Sequence, residues 1–245
     1  MKDNFSNVSA LYAQFRPTYP RELYDFILSL VSERQTVWDC GTGNGQVSSV
    51  LSDYFDQVFA TDISGNQISQ AVKKKNIYYS VQSVEHTSFN RNQFDLIIAA
   101  QAAHWFDFPE YFREVDRTLK RGGILALVGY SHVDVNEVFD GLIRKFKSDL
   151  LGSFWDNERK IVDERYSTIP FPYRDIPLPK MAMHYRWTLE QLVGYLRTWS
   201  AVQHYTDQMK TNPVEIILPQ LMKSWGDDRT KEVTFNLFAR VGKKI

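Results

Sequence analysis

Cysteine is almost missing from the 245-residue chain. Its single instance, Cys40, rules out an internal disulfide and suits a reducing compartment. Long apolar runs are missing too. The longest, "LIIAAQAA" and "GGILALVGY", fall far short of the ~20 residues that span a bilayer. The opening "MKDNFSNVSA" has no apolar segment of signal-peptide length, so the expected location is cytoplasmic and no membrane partner is expected. Net charge is missing as well: Lys+Arg and Asp+Glu each number 29, which gives no global attraction to nucleic acid. His86, His132, His184 and His204 show no metal-ligand spacing with Cys or acids, so no metal is expected. No Ser-His-Asp arrangement, internal repeat or low-complexity segment stands out.

The residues that are present describe a soluble globular chain, 43% hydrophobic and 24% charged, long enough to bury a core. Aromatics reach 14%, a content that can also wall a ligand pocket. Glycine numbers only 12, yet three fall within five positions of "VWDCGTGNGQ", residues 37–46. Because glycine is costly to order, that placement needs a reason.

Hydrophobic periodicity supplies the frame. Leu23, Phe26, Ile27 and Leu30 share one helical face, and "TVWDC" reads as a buried strand ending at Gly41. Val47, Val50, Leu51 and Tyr54 form a second helical face. "QVFATD", "IYYSVQ", "FDLIIAA" and "ILALVGY" read as four further strands. Between them, Ser64 and Gln67 form a capping-box pattern for a helix with Ile68, Ala71 and Val72 inward. Pro109 suits the first turn of another helix, which Arg121-Gly122-Gly123 is expected to end. Alternating near-continuous apolar strands and helices predict a doubly wound parallel sheet, with its ligand crevice at the strand carboxyl ends.

After Tyr130 the pattern changes. Residues 131–180 are charged and then proline-rich at "IPFPYRDIPLPK". "MAMHYRW" reads as a strand. "TLEQLVGYLRTWS" reads as a helix capped by Thr188 with Gln191 three residues on, and "EVTFNLFARVG" as a last strand. The expected organisation is a single α/β domain over 1–245. Its Rossmann-type core spans 30–130 plus a C-terminal strand at 231–242, and a mostly helical cap is inserted as segments 131–180 and 188–228.

The glycine spacing is D-x-G-x-G-x-G, from Asp39 to Gly45. Gln46 stands where the dinucleotide fingerprint needs a small residue, which argues against a nicotinamide oxidoreductase on the same fold. This spacing, with Asp62 ending the second strand, resembles the class I S-adenosylmethionine-dependent methyltransferases. "VQSVEHTSF" is similar to that family's adenine-contacting segment, and "FDLIIAAQAAHWFD" to its fourth-strand motif. The leader "YAQFRPTYP" and "YLRTWSA" resemble the branch that includes trans-aconitate methyltransferase and related small-acid methyltransferases.

The resemblance implies S-adenosylmethionine as cofactor. It implies Asp62 for the ribose diol, and Ile63, Val84 and Glu85 for the adenine. Asp39 and the backbone near Gly41 would take the ammonium, and Arg16 or Tyr12 the carboxylate. Thr42, Gly43, Gly45, Gln46, Gln67 and Gln101 complete the expected cofactor site. Trp105 and Trp199 are the expected acceptor contacts, and His104 is the candidate catalytic group.

The implied reaction is methyl transfer to a small molecule, a carboxylic acid giving a methyl ester. A carboxylate is ionised at neutral pH and needs no base, whereas a hydroxyl or amine acceptor would need one, with His104 the candidate. A carboxylate also needs a cation, for which the cap offers Arg174 and Arg197. A hydroxyl or amine acceptor, small molecule or nucleic acid, and a non-catalytic S-adenosylmethionine-binding protein are the alternatives.

Overall fold

The structure is a computed structural model that describes residues 15–245. Among the described residues, α1 (Arg21–Leu30) buries Leu23, Tyr24, Ile27 and Leu28; of the face expected from spacing, Leu23 and Ile27 are buried while Phe26 and Leu30 are only partly covered. β1 (Thr36–Cys40), α2 (Gln46–Leu51), β2 (Gln57–Asp62), α3 (Gly65–Ser69), β3 (Ile77–Val81) and β4 (Phe94–Ala100) follow. Then come α4 (Phe108–Thr118), β5 (Leu119–Asp134), α5 (Glu137–Lys145), α6 (Arg159–Asp163), β6 (Ala182–Trp187), α7 (Leu189–Arg197), α8 (Ser200–Met209), α9 (Pro213–Trp225) and β7 (Lys231–Lys243).

The seven strands form one sheet in the order β3-β2-β1-β4-β5-β7-β6. β1 to β5 run parallel, while β7 is antiparallel to both β5 and β6. Strand order reverses between β1 and β4, which places a ligand crevice at their carboxyl ends.

Strand alternation divides the core between the two faces. Val37, Leu96 and Ile98 join the α1 side chains on one face. Trp38, Phe94 and Ile97 join Tyr111 and Val115 of α4 on the other. A third cluster packs Phe139 of α5 with Leu192 and Leu196 of α7, Val202 of α8, Trp225 of α9 and Phe235 of β7. That cluster attaches the helices after β5 to the sheet.

Three sequence expectations are corrected. Arg121-Gly122-Gly123 lie inside β5, not at a helix end, because α4 already stops at Thr118. A register shift of β5 against β4 between Phe94 and Leu96 absorbs the glycines, and Gly122 takes φ +80. β5 also continues through Asp134, paired with β7, so the chain leaves the sheet later than residue 131. α3 stops at Ser69 and Val72 is exposed, while Gln67 is buried in its place.

Candidate active site

The crevice grows from the turn after β1. Gly41, Gly43 and Gly45 all have positive φ. At Gly41 a Cβ would sit 2.7 Å from the Ala102 Cβ. At Gly45 it would overlap the Tyr79 hydroxyl, which donates to Val72 O. Only glycine combines these dihedrals with that closeness. Asp62, ending β2, holds the turn from the other side. Its Oδ2 accepts from Gly43 N–H at 2.8 Å and its Oδ1 from Ser64 N–H at 2.9 Å.

Asp39 lies one residue before the end of β1 and is almost fully buried. Its Oδ2 accepts from the Thr42 hydroxyl at 2.7 Å and the Ser48 hydroxyl at 2.6 Å. Its Oδ1 is buried without a hydrogen-bond partner among the described residues. Burial pushes the carboxyl up to about 6 against those two hydroxyls, with the nearby Asp62 charge adding to the rise. A buried, half-satisfied carboxylate facing a cleft is suited to a cationic ligand group.

The cleft has a volume of about 910 Å³ including its mouth, a size suited to a cofactor. Of the residues expected from the sequence, Arg16, Asp39, Gly41, Thr42, Gly43, Gln46, Asp62, Ile63, Gln67, Gln101 and Trp105 line it. Three of the expected cofactor residues do not, and His104 and Trp199 line a neighbouring cavity instead. Gly45 packs on Tyr79 behind the turn. Val84 is 1% exposed, packed in the cluster of Trp38 and Phe94. Glu85 turns its carboxylate to the segment before α4, where Oε1 accepts from Asp107 N–H at 3.1 Å and Oε2 from the Ser83 hydroxyl. Tyr12 lies outside the described residues. The sequence reading missed Tyr19, Asn44, Ala102 and Tyr130 on this wall. Tyr19 stands in the quoted leader and Asn44 in the glycine turn, so a signal was present for both.

Gln101 sits just past β4 at φ +53. Its Oε1 accepts from Tyr130 N–H at 2.9 Å, so the side chain ties the end of β4 to β5. A positive φ at a non-glycine residue is strain of the kind found at functional sites.

A second cavity of about 400 Å³ adjoins the crevice across Arg16, Gln101 and Trp105, which line both. His104, Trp155, Arg159, Trp199 and Ser200 complete its wall. Arg16 is held there by Nε to Thr198 Oγ1 at 2.8 Å and Nη1 to the Tyr130 hydroxyl at 3.0 Å, with its guanidinium 5.4 Å from the Tyr195 ring centre. His104, in a short turn at 103–105, is buried against Trp105, with ring centres 4.8 Å apart. Burial, reinforced by the Arg159 and Arg16 charges, pushes the imidazole down to about 3, so it is neutral at physiological pH.

The cap cations expected from sequence lie elsewhere. Arg197 pairs with Glu215, and Arg174 is exposed beside Lys243. Arg159 lines the second cavity instead; it stands in the charged 131–180 stretch, which carries no motif. Among the described residues no cluster of His, Cys, Asp and Glu is fit to hold a metal ion, and no helix is long and apolar enough to cross a membrane.

The family described as "Methyltransferase domain" matches residues 38–127, from β1 into β5. The chain is 29% identical over 250 residues to a Dictyostelium discoideum protein named "Putative methyltransferase", covering 99% of this chain and 95% of that one. It is 24% identical over 241 residues to the Saccharomyces cerevisiae "Probable S-adenosylmethionine-dependent methyltransferase CRG1", covering 84% and 82%. A solved structure of a "Putative Type II Methyltransferase" from Anaeromyxobacter dehalogenans superposes with a TM-score of 0.85 at 34% identity, covering 94% of this chain and 98% of that one.

Proposed function

The chain belongs to the class I S-adenosylmethionine-dependent methyltransferases, and we propose that it methylates a small carboxylic acid held in the cavity beside the glycine crevice. S-adenosylmethionine, when bound, supplies a methyl group already activated on a sulfonium. The chain's own work is then to bind, orient and exclude water.

The residues of the crevice fit that cofactor. The unpartnered Asp39 Oδ1 would accept from its ammonium. Asp62, fixed by two backbone N–H groups, would accept from the ribose diol with its remaining lone pairs. Ile63 gives the adenine an apolar side wall, and Arg16 reaches the end of the crevice nearest the cavity.

The observation that carries the acceptor class is the pair of guanidiniums, Arg16 and Arg159, in one indole-walled cavity that opens onto the crevice. Guanidinium is the side-chain group best matched to a carboxylate. A carboxylate brings no proton to remove, which agrees with a His104 imidazole too weakly basic to remove one. His104 instead offers a ring N–H as a hydrogen-bond donor. Enclosure by Trp105, Trp155 and Trp199 supports a small molecule over a nucleic-acid strand.

The test is a panel with labelled cofactor: succinate, trans-aconitate, benzoate and decanoate against phenol, catechol and primary amines. Transfer to one or more acids is expected. Turnover of phenols or amines with none of the acids would overturn the reading.

A further inference from the structure

Arg159 reaches the cavity from α6, and its surroundings are unusually charged for a site so little exposed. Asp163 stands one turn further along the same helix, with Oδ1 at 3.4 Å from Arg159 Nε. The other contacts come from different elements. Asp163 Oδ1 is 3.1 Å from Nε2 of His132, near the end of β5. Asp163 Oδ2 is 2.7 Å from Nζ of Lys147, in the wide turn after α5. His132 bridges the two cations, with Lys147 Nζ 2.6 Å from Nε2 and Arg159 Nη2 3.2 Å from Nδ1. Trp155 covers them: the Arg159 guanidinium is 5.2 Å and the Lys147 ammonium 5.9 Å from its ring centre. Of these charged groups only Arg159 lines the cavity.

We propose that Arg159 is the cation that binds the acceptor carboxylate, and that Asp163 is a positioning residue that aims it by holding Lys147 and His132 against it. The inference rests on the carboxylate-acceptor reading above. Among the described residues, Asp163 is the only anion within ion-pair distance of the two cations. Without its charge, Lys147 and Arg159 face each other across an imidazole that burial and both cations keep uncharged at neutral pH. Two like charges so close separate, and among the described residues the guanidinium keeps only the Trp155 face and the His132 ring. The guanidinium and the groups that hold it therefore form one unit built from β5, the turn after α5, and α6.

The test measures KM and kcat for the panel acid with the lowest KM, alongside calorimetric affinity for S-adenosylhomocysteine. Arg159→Gln is expected to raise the acid KM by about tenfold or more, the loss typical of one guanidinium–carboxylate contact. Asp163→Asn is expected to raise it by about fivefold, with kcat within about threefold and S-adenosylhomocysteine affinity unchanged. Asp163→Glu, which keeps the charge, is expected to restore KM to within about threefold of the parent, and it serves as the second variant should Asp163→Asn fail to fold. An acid that is turned over with a KM indifferent to Arg159→Gln would overturn the inference and leave the carboxylate reading standing. A lower KM in Asp163→Asn would show that Asp163 competes with the acceptor instead of aiming the arginine. No acid turned over by the parent would remove both.

Discussion

At Asp39 one carboxylate oxygen accepts two hydroxyl hydrogen bonds while the other is buried with none among the described residues. Burial lifts the group from an ordinary 3.8 to about 6. The folded protein therefore holds this proton more tightly than the unfolded chain. The resulting stabilisation is complete below the unfolded pKa and is lost as pH rises through about 6, a cost to the ligand-free protein on the order of 3 kcal/mol at neutral pH. A ligand ammonium offsets that cost because it needs the ionised form. Affinity for S-adenosylhomocysteine is thus expected to weaken about tenfold from pH 7 to pH 5, and Asp39→Asn to bind weakly at both. Calorimetry at the two pH values checks it; a pH-independent parent affinity would place the ammonium elsewhere.

His104 answers a different question. If it were a general base with an ordinary pKa, the rate would fall on acidification through 6.5. Its burial beside Arg159 and Arg16 moves the titration down to about 3, outside that range. His104→Gln is expected to cost at most about tenfold in kcat, near 1.4 kcal/mol, with no inflection near pH 6.5 in either protein. A loss of a hundredfold or more, on the scale of general-base catalysis, would return His104 to that role.

Among the elements, the β1 turn and the end of β2 act together. Asp62 joins them through Gly43 N–H and Ser64 N–H, so its removal touches both cofactor binding and the shape of the turn. Asp62→Ala is expected to weaken S-adenosylhomocysteine binding by roughly 1 to 3 kcal/mol and to lower the melting temperature by a few degrees. Unchanged binding with a lowered melting temperature would make Asp62 a structural anchor alone.

Elements specified by their own residues were legible in the sequence. The box at the start of α7 forms in full, with Thr188 Oγ1 accepting from Gln191 N–H and Gln191 Oε1 from Thr188 N–H. The near-continuous apolar runs of β1 and β4 are buried on both faces of the sheet, as such runs predict. Elements decided by distant partners were not. Gly122-Gly123 reads locally as a helix stop, but pairing with β4 and β7 makes it strand. Val84 and Glu85 sit where a resemblance put them, yet core packing and the Asp107 N–H claim their side chains. Arg159 could not be found by spacing, because its cavity is assembled from the leader, the segment just after β4 and the cap.

For the whole molecule, the sheet order fixes the crevice at the switch between β1 and β4, and the segments packed beyond β5 close a charged, indole-lined cavity against it. The chain's zero net charge conceals this local asymmetry: carboxylates on the cofactor side, guanidiniums on the acceptor side. Such a division suits a cationic donor and an anionic acceptor meeting at Arg16, Gln101 and Trp105. The measurement that tests this most directly is the fate of the transferred methyl group in mild alkali. Purified protein and methyl-labelled S-adenosylmethionine are incubated at pH 7 with the full panel of acids, phenols and amines, and the product is then hydrolysed. A methyl ester releases the label as volatile methanol, and this is the predicted result. Label retained through alkali in an ether or an N-methyl product would contradict the account.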